Sequence, residues 1–150
     1  PVEQASVNCL LEAYANEVRD GLLTCDIDSG LGALRAATAH ARWMVVSGGD
    51  QDELRDIFDL RQLTPHFKSG IFGSPDSKKT ILAREQMKGT IQMPALFIGD
   101  SRYDHEVASH AGLDFVFVNH WSEFEDWRSY QMMCGFTAVT DLGELLGSCS

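Results

Sequence analysis

Two aspartates near residue 100 are the side chains best placed to do chemistry in this sequence. The apolar segment PALFIGD ends in Asp100, and Asp104 follows four residues later, in the first turn of a predicted helix. One acid at such a position is typical of helix capping, because a carboxylate accepts hydrogen bonds from the free backbone N–H groups there. Two acids around a glycine turn are more than capping requires, and Mg²⁺ prefers carboxylate oxygens with several waters retained. The pair therefore predicts a Mg²⁺ site.

Two other segments carry groups suited to binding a phosphate. WMVVSGG is an apolar run that ends in Ser47, Gly48 and Gly49, and a hydroxyl among small residues at a strand-to-helix turn can donate hydrogen bonds to phosphate oxygens. The alternative is a tight turn in which Ser47 is only a local cap. Lys78 and Lys79 open a predicted helix, where positive charge is unfavourable with the helix dipole unless an anion lies nearby. Plain solvent exposure is the alternative for each lysine.

Predicted strands and helices alternate along the chain and must position these residues. Strands are predicted at WMVVSGG, around Ile71 and Phe72, at PALFIGD and at LDFVFVNH. Helices are predicted at residues 3–19, 31–40, after Asp50, from Lys78 to Gly89, and at residues 104–111, 123–133 and 142–146. The alternation predicts an α/β fold with a parallel sheet. Ligands in such folds bind beyond the carboxyl ends of the strands, where Ser47 and Asp100 stand.

Composition excludes several classes of partner. The 150 residues carry 12 Lys and Arg against 22 Asp and Glu, for a net charge of −10, which argues against a nucleic-acid partner. No run approaches the roughly 18 apolar residues of a membrane-spanning helix, and no signal peptide is recognisable. The 4 cysteines are scattered without a CxxC pair, so the sequence favours reduced thiols in a cytoplasmic protein.

Taken in order, these segments resemble three of the four motifs of the haloacid dehalogenase (HAD) superfamily. The second motif is an apolar strand that ends in Ser or Thr, which Ser47 matches. The third is a lysine before or within a helix, matched by Lys78, with Lys79 as the close alternative. The fourth is an apolar strand followed by a pair of acids, matched by Asp100 and Asp104. Each motif is weak alone, and the order of the three makes the resemblance more specific.

The resemblance implies a three-layer, Rossmann-like core and Mg²⁺-dependent hydrolysis of a small phosphomonoester. In such enzymes an Asp nucleophile takes the phosphoryl group and water later releases it. Ser47 and Gly48 would bind the phosphate, and Lys78 would pair with both the nucleophile and the phosphate. Asp100 would hold the metal with support from Asp104, and the metal would offset charge during transfer. Ser47 and Lys78 would thus be the catalytic residues of this segment.

The first motif of the family, DxDx[TV] after an N-terminal apolar strand, has no clear match. Residues 1–28 instead resemble a helical cap segment, so that residues 29–150 would form the core of one domain and the nucleophile strand would lie before Pro1. One partial match is LLTCDIDSG, with Asp26 as nucleophile and Asp28 as acid/base, although its spacing and composition depart from the motif.

Loss of the first strand would leave the centre of the sheet open. In the family this strand lies between those of the second and fourth motifs, and each buried backbone group without a partner costs on the order of 1–3 kcal/mol. Leu22–Ile27, a strand from another subunit, or direct pairing of the two neighbours would have to fill the space. The sequence therefore leaves two functions open: a phosphatase, or a truncated, catalytically incomplete HAD-like remnant that serves as a binding or assembly module, including a homo-oligomer.

Overall fold

A computed structural model describes residues 19–148 as an α/β structure of alternating strands and helices. The strands are β1 (Val45–Asp50), β2 (Ile71–Ser74), β3 (Leu96–Gly99), β4 (Asp114–Val118) and β5 (Thr137–Val139). The α-helices are α1 (Leu31–Ala37), α2 (Gln51–Leu60), α3 (Lys78–Met87), α4 (Arg102–Ala111) and α5 (Trp127–Cys134). Short 3₁₀ helices span Thr64–His66 and Leu142–Ser148. Within this part of the chain, no helix is long and apolar enough to cross a lipid bilayer.

Side-chain caps explain why the helices next to the predicted site begin where they do. The Asp50 carboxylate accepts a hydrogen bond from the Glu53 N–H at 3.0 Å, which starts α2 directly after β1. The Ser77 hydroxyl accepts from the Thr80 N–H at 3.2 Å and so starts α3 at Lys78. Each cap satisfies a backbone donor that the helix itself leaves free.

All strand pairs are parallel, as predicted, but the strands form two separate sheets. β1 pairs with β2, with Val45 opposite Ile71. β3, β4 and β5 pair in that order, with Leu96 opposite Asp114. No strand of residues 19–148 pairs with the second edge of β1 or with the second edge of β3. β1 and β3 therefore do not pair directly with each other, which rules out one of the three ways to fill the centre of the sheet. We call the space between their unpaired edges the inter-sheet gap.

Helices α3 and α4 hold the two sheets together. α3 packs against β1, β2 and α4, and α4 packs against β3 and β4. Ile81 on α3 and Val107 on α4 are almost completely buried. At the far end of this contact the Gln86 side-chain amide donates a hydrogen bond to the Ala111 carbonyl at 2.8 Å. The sheets are thus placed by helix packing and not by strand pairing.

The hypothesis that Leu22–Ile27 forms the missing strand is wrong. Residues 19–24 are helical and residues 25–28 form no strand, because this segment is bound elsewhere. The Arg61 guanidinium donates hydrogen bonds to the carbonyls of Leu22 and Cys25 at 2.8 and 2.7 Å. The Asp28 carboxylate accepts from the N–H groups of Gly30 and Leu142 at 2.8 and 2.9 Å, so this acid fixes a turn against the last 3₁₀ helix.

Some element boundaries differ from the sequence predictions. The helix predicted over residues 31–40 ends at Ala37, and the helix predicted over residues 123–133 begins only at Trp127. The short strand β5 and the 3₁₀ helix at Thr64–His66 were not predicted. The helix predicted over residues 3–19 lies outside the described residues except for its last position.

Candidate active site

Asp104 is the centre of a bonded cluster at the carboxyl end of β3. The residue is 3% exposed, and the Lys78 ammonium lies 2.5 Å from its Oδ1. The Asp100 backbone N–H donates to its Oδ2 at 3.1 Å, and its own N–H donates to the Ser101 hydroxyl at 3.1 Å. A buried carboxylate needs such partners, because an unpaired charge away from water is costly. The cluster joins the start of α3, which follows β2, to the start of α4, which follows β3.

Gly99 is required for Asp104 to lie where it does. A Cβ atom at residue 99 would fall 2.5 Å from the Asp104 Cβ and 2.7 Å from its Oδ2. No side chain larger than hydrogen therefore fits between β3 and the first turn of α4.

Asp100 lies on the open side of this cluster. Its backbone carbonyl accepts a hydrogen bond from the Ser122 hydroxyl at 2.5 Å, so the loop after β4 also fixes the turn. Partial burial and then the nearby Asp104 carboxylate raise the pKa of Asp100 above its ordinary value, while Lys78 opposes the rise. The fold therefore holds the Asp100 and Asp104 carboxylates close together, with the Lys78 ammonium as the nearby cation.

The raised pKa of Asp100 predicts how stability depends on pH. A folded-state pKa above the unfolded one means that the folded protein binds the proton more tightly, so the ionised carboxylate opposes folding at neutral pH. We expect Asp100→Asn to raise the urea midpoint at pH 7. The gain should disappear as the pH falls below the ordinary Asp pKa of about 3.8. A variant that is less stable at pH 7, or a difference that does not change with pH, would contradict this; Glu125→Gln, at an exposed loop position, is the control for loss of one negative charge.

The segment Ser47–Gly49 lies on the other sheet, in β1. The Ser47 hydroxyl accepts a hydrogen bond from the Gly49 N–H at 3.1 Å. This local hydrogen bond is the alternative to phosphate binding that the sequence left open for Ser47. A Cβ built on Gly48 meets no atom within 4 Å, so open space adjoins this residue. On its inner side the segment packs tightly, since a Cβ on Gly73 would lie 2.2 Å from the Gly49 carbonyl oxygen. The segment is thus a fixed, irregular stretch of β1 with one open side.

The predicted site residues are brought together only in part. Lys78, Asp100 and Asp104 form one cluster, whereas Ser47 makes no hydrogen bond to any of them among the described contacts. Of the two lysines, Lys78 contacts Asp104. Lys79, the next residue of α3, is exposed to solvent. Ser101 and Ser122 were not singled out from the sequence; a serine before a helix is a detectable cap signal for Ser101, whereas nothing in the sequence marks Ser122.

The described residues do not make a complete metal site. No group of three or more His, Cys, Asp or Glu side chains within residues 19–148 is placed to hold a metal ion. Both oxygens of Asp104 are already engaged, by Lys78 and by the Asp100 N–H. Asp100 is left as the carboxylate able to offer a ligand oxygen, and Mg²⁺ needs further oxygens to complete six-fold coordination.

Among residues 19–148, no further carboxylate joins the Lys78–Asp104 cluster as a candidate nucleophile. Asp26 is exposed in the loop between residues 24 and 31, and Asp28 is bound to Gly30 and Leu142. Neither is bonded to Lys78 or Asp104, so the assignment of Asp26 and Asp28 as a partial first motif has no structural support.

Comparisons with known proteins agree with this architecture. No protein-family model and no curated protein sequence matches the chain. Among solved structures, a haloacid dehalogenase-like family hydrolase from Streptococcus pneumoniae superposes with a TM-score of 0.74 at 19% identity, over 100% of this chain and 77% of that one. A HAD-superfamily hydrolase from Ehrlichia chaffeensis superposes with a TM-score of 0.62 at 16% identity, over 99% of this chain and 74% of that one. Structural similarity at such low sequence identity establishes the fold alone, and the chain therefore has a haloacid dehalogenase-like fold.

Proposed function

We propose that this chain forms the phosphate-handling part of a HAD-type hydrolase that acts on a small phosphomonoester. The observation that carries the proposal is the buried ion pair between Lys78 and Asp104, at the carboxyl ends of strands from both sheets. A purely structural pair gains little when it is buried, because desolvation of both charges offsets their attraction. An ion pair that leaves part of the Lys78 ammonium exposed is suited to binding an anion.

Each residue of the cluster has a distinct part in this proposal. The Lys78 side chain, 18% exposed, would donate to a phosphate oxygen while Asp104 fixes its direction. Ser47 and the Gly48 N–H would donate to other phosphate oxygens from the β1 side. Such preplaced donors stabilise the charge of a phosphoryl group during transfer.

The nucleophile must come from outside the described residues. In-line phosphoryl transfer needs a free carboxylate oxygen beside Lys78. Asp104 has both of its oxygens engaged, and Asp100 is the proposed metal ligand. Mg²⁺ would supply positive charge against the phosphate oxygens, and Asp100 would be its ligand from this chain. We therefore expect turnover only when a further carboxylate reaches the inter-sheet gap.

Phosphate binding tests the proposal without requiring turnover. Calorimetric titration with inorganic phosphate is expected to show binding that weakens at least about tenfold in Lys78→Met, since a charge-assisted hydrogen bond is lost. Ser47→Ala should weaken binding by several-fold. Lys79→Met removes the same charge one residue away and should bind phosphate like the parent. Absence of saturable binding, or an equal loss in Lys78→Met and Lys79→Met, would show that the cluster is not a phosphate site.

A binding or assembly module is the second candidate, favoured by the absence of a placed nucleophile among residues 19–148. Release of phosphate from p-nitrophenyl phosphate in the presence of Mg²⁺ distinguishes the two functions. Turnover abolished by Asp26→Asn would restore Asp26 as the nucleophile, contrary to the structure. No turnover together with intact phosphate binding would favour the module.

A further inference from the structure

A groove of about 820 Å³ lies at the amino end of β2. Helix α2, the 3₁₀ helix at Thr64–His66 and the chain that leads into Ile71 form its walls. Lys78 follows the carboxyl end of the same strand, so the groove and the Lys78–Asp104 cluster lie at opposite ends of β2. The volume of the groove is in the range of sites that bind small molecules. We call this feature the Arg55 groove.

The Arg55 guanidinium is held in a fixed position at this groove. Its Nε donates a hydrogen bond to the Ile71 carbonyl at 2.9 Å, and its central carbon lies 5.7 Å from the centre of the Phe72 ring. These two contacts orient the group and leave its two terminal amino groups without a hydrogen bond to residues 19–148. A fixed guanidinium with two free, parallel N–H donors matches the geometry of a carboxylate.

Lys68 adds a second positive charge to the groove. The chain has 22 acidic residues against 12 Lys and Arg, yet neither Arg55 nor Lys68 forms an ion pair with any of residues 19–148. Asp59 also lines the groove, but its carboxylate accepts a hydrogen bond from the Thr64 hydroxyl. Two cations that have no acidic partner, in one groove of an acidic protein, are complementary to an anion.

Part of the groove wall is apolar. Phe67 and Pro65 line it, and ring contacts with Trp43 and Phe58, at centroid distances of 5.7 and 5.5 Å, anchor Phe67. An anchored aromatic ring is a rigid surface for the apolar body of a ligand, and burial of that surface favours binding. A small inorganic anion would use only the cationic side chains of this groove, whereas an organic acid would use both kinds of surface.

The backbone at Gln62 is strained at the same groove. Gln62 has a φ of 59°, in the left-handed region, which favours Gly or Asn. The residue lines the groove, and its side-chain amide makes no hydrogen bond to residues 19–148. Strained residues of this kind are concentrated at binding sites, where the position of a side chain matters more than the comfort of the backbone. The turn therefore adds an unpaired amide donor to the two cations.

We propose that the Arg55 groove binds a small organic acid with one carboxylate and an apolar body. The carboxylate accepts hydrogen bonds from the terminal amino groups of Arg55 and from the Lys68 ammonium. Gln62 donates a further hydrogen bond, and the apolar body covers Phe67. A single carboxylate has the matching charge, because Asp59 opposes a second negative group. The proposal does not depend on the phosphate site, which lies at the other end of β2.

Calorimetric titration with 4-phenylbutyrate tests the proposal, and saturable binding is expected. The amide of the same acid, 4-phenylbutanamide, has the same body without the charge and should bind at least about tenfold more weakly. Arg55→Gln should weaken binding of the acid by a similar factor, because both the charge and the paired donors are lost. Arg128→Gln is the control: it removes an exposed arginine that also lies over an aromatic ring, that of Trp127, and should bind the acid like the parent.

Gln62→Gly separates a role in binding from a role in folding. Glycine adopts the left-handed conformation without strain, so this variant should have a higher urea midpoint than the parent. Loss of the amide should nevertheless weaken binding of 4-phenylbutyrate several-fold. A side chain whose removal stabilises the protein but weakens binding is kept for the ligand.

NMR titration shows where the acid binds. 4-Phenylbutyrate should shift the backbone amide signals of Gln62, Lys68 and Ile71. No saturable binding, equal binding of the acid and its amide, or unchanged binding in Arg55→Gln or Gln62→Gly would overturn the proposal. Shifts confined to amides near Asp100 would place the acid at the candidate active site, which also overturns it.

Discussion

Lys78→Met is expected to lower the free energy of unfolding by about 3 kcal/mol, near the lower end of the cost of leaving a buried charge without its partner. Asp104 is almost fully buried and Lys78 is its only cationic partner among residues 19–148. The remaining donor to the Asp104 carboxylate, the Asp100 backbone N–H, does not carry a compensating charge. Urea unfolding followed by tryptophan fluorescence measures the change, with the same slope expected for both proteins.

Lys79→Met is the control for this experiment. Lys79 is exposed on the same helix, so its removal should alter stability by no more than about 0.5 kcal/mol. A small effect in both variants would mean that water reaches Asp104 once Lys78 is gone, and the ion pair would then have no structural importance.

Gly99→Ala is expected to have a comparable effect for a steric reason. The new methyl group would lie 2.5 Å from the Asp104 Cβ, a carbon that cannot move without moving α4. Overpacking of this kind costs about 1–3 kcal/mol, and displacement of Asp104 from Lys78 should add to it. We expect a loss of about 3 kcal/mol in urea unfolding together with loss of phosphate binding.

Gly32→Ala provides the matched comparison. Gly32 lies in α1 with open space where a Cβ would stand, so alanine should raise stability by up to about 1 kcal/mol through its helix propensity. Phosphate binding should be unchanged in this variant. A Gly99→Ala variant as stable as the parent would contradict the close packing of β3 against Asp104.

The sequence was sufficient for the elements near the site because local signals define them. Apolar runs followed by small residues marked β1 and β3, and cap residues such as Asp50 fixed where helices begin. The short strand β5 has only three residues, too few for a pattern to emerge. For Leu22–Ile27 the sequence left a strand as one alternative because of its apolar start, whereas the conformation of this segment depends on Arg61, which is distant in the chain.

The candidate site shows the same division between local and distant causes. The spacing of Asp100 and Asp104 predicted that both would stand at one strand end, and they do. The choice of Lys78 over Lys79 depended on which side of α3 faces α4, a tertiary property. The contact of Ser122 with Asp100 joins loops 22 residues apart and has no sequence signature. Whether Asp100 binds Mg²⁺ and Ser47 binds phosphate stays a prediction.

The division into two sheets also bears on how the molecule folds. Within each sheet, paired strands follow one another in the chain with an α-helix between them. Pairing them closes only a short loop, so the loss of chain entropy on pairing is small. We therefore expect the two units to form as separate cooperative regions of one domain. Their association through α3 and α4 brings Lys78 onto Asp104, which makes this ion pair a marker for the last step of assembly.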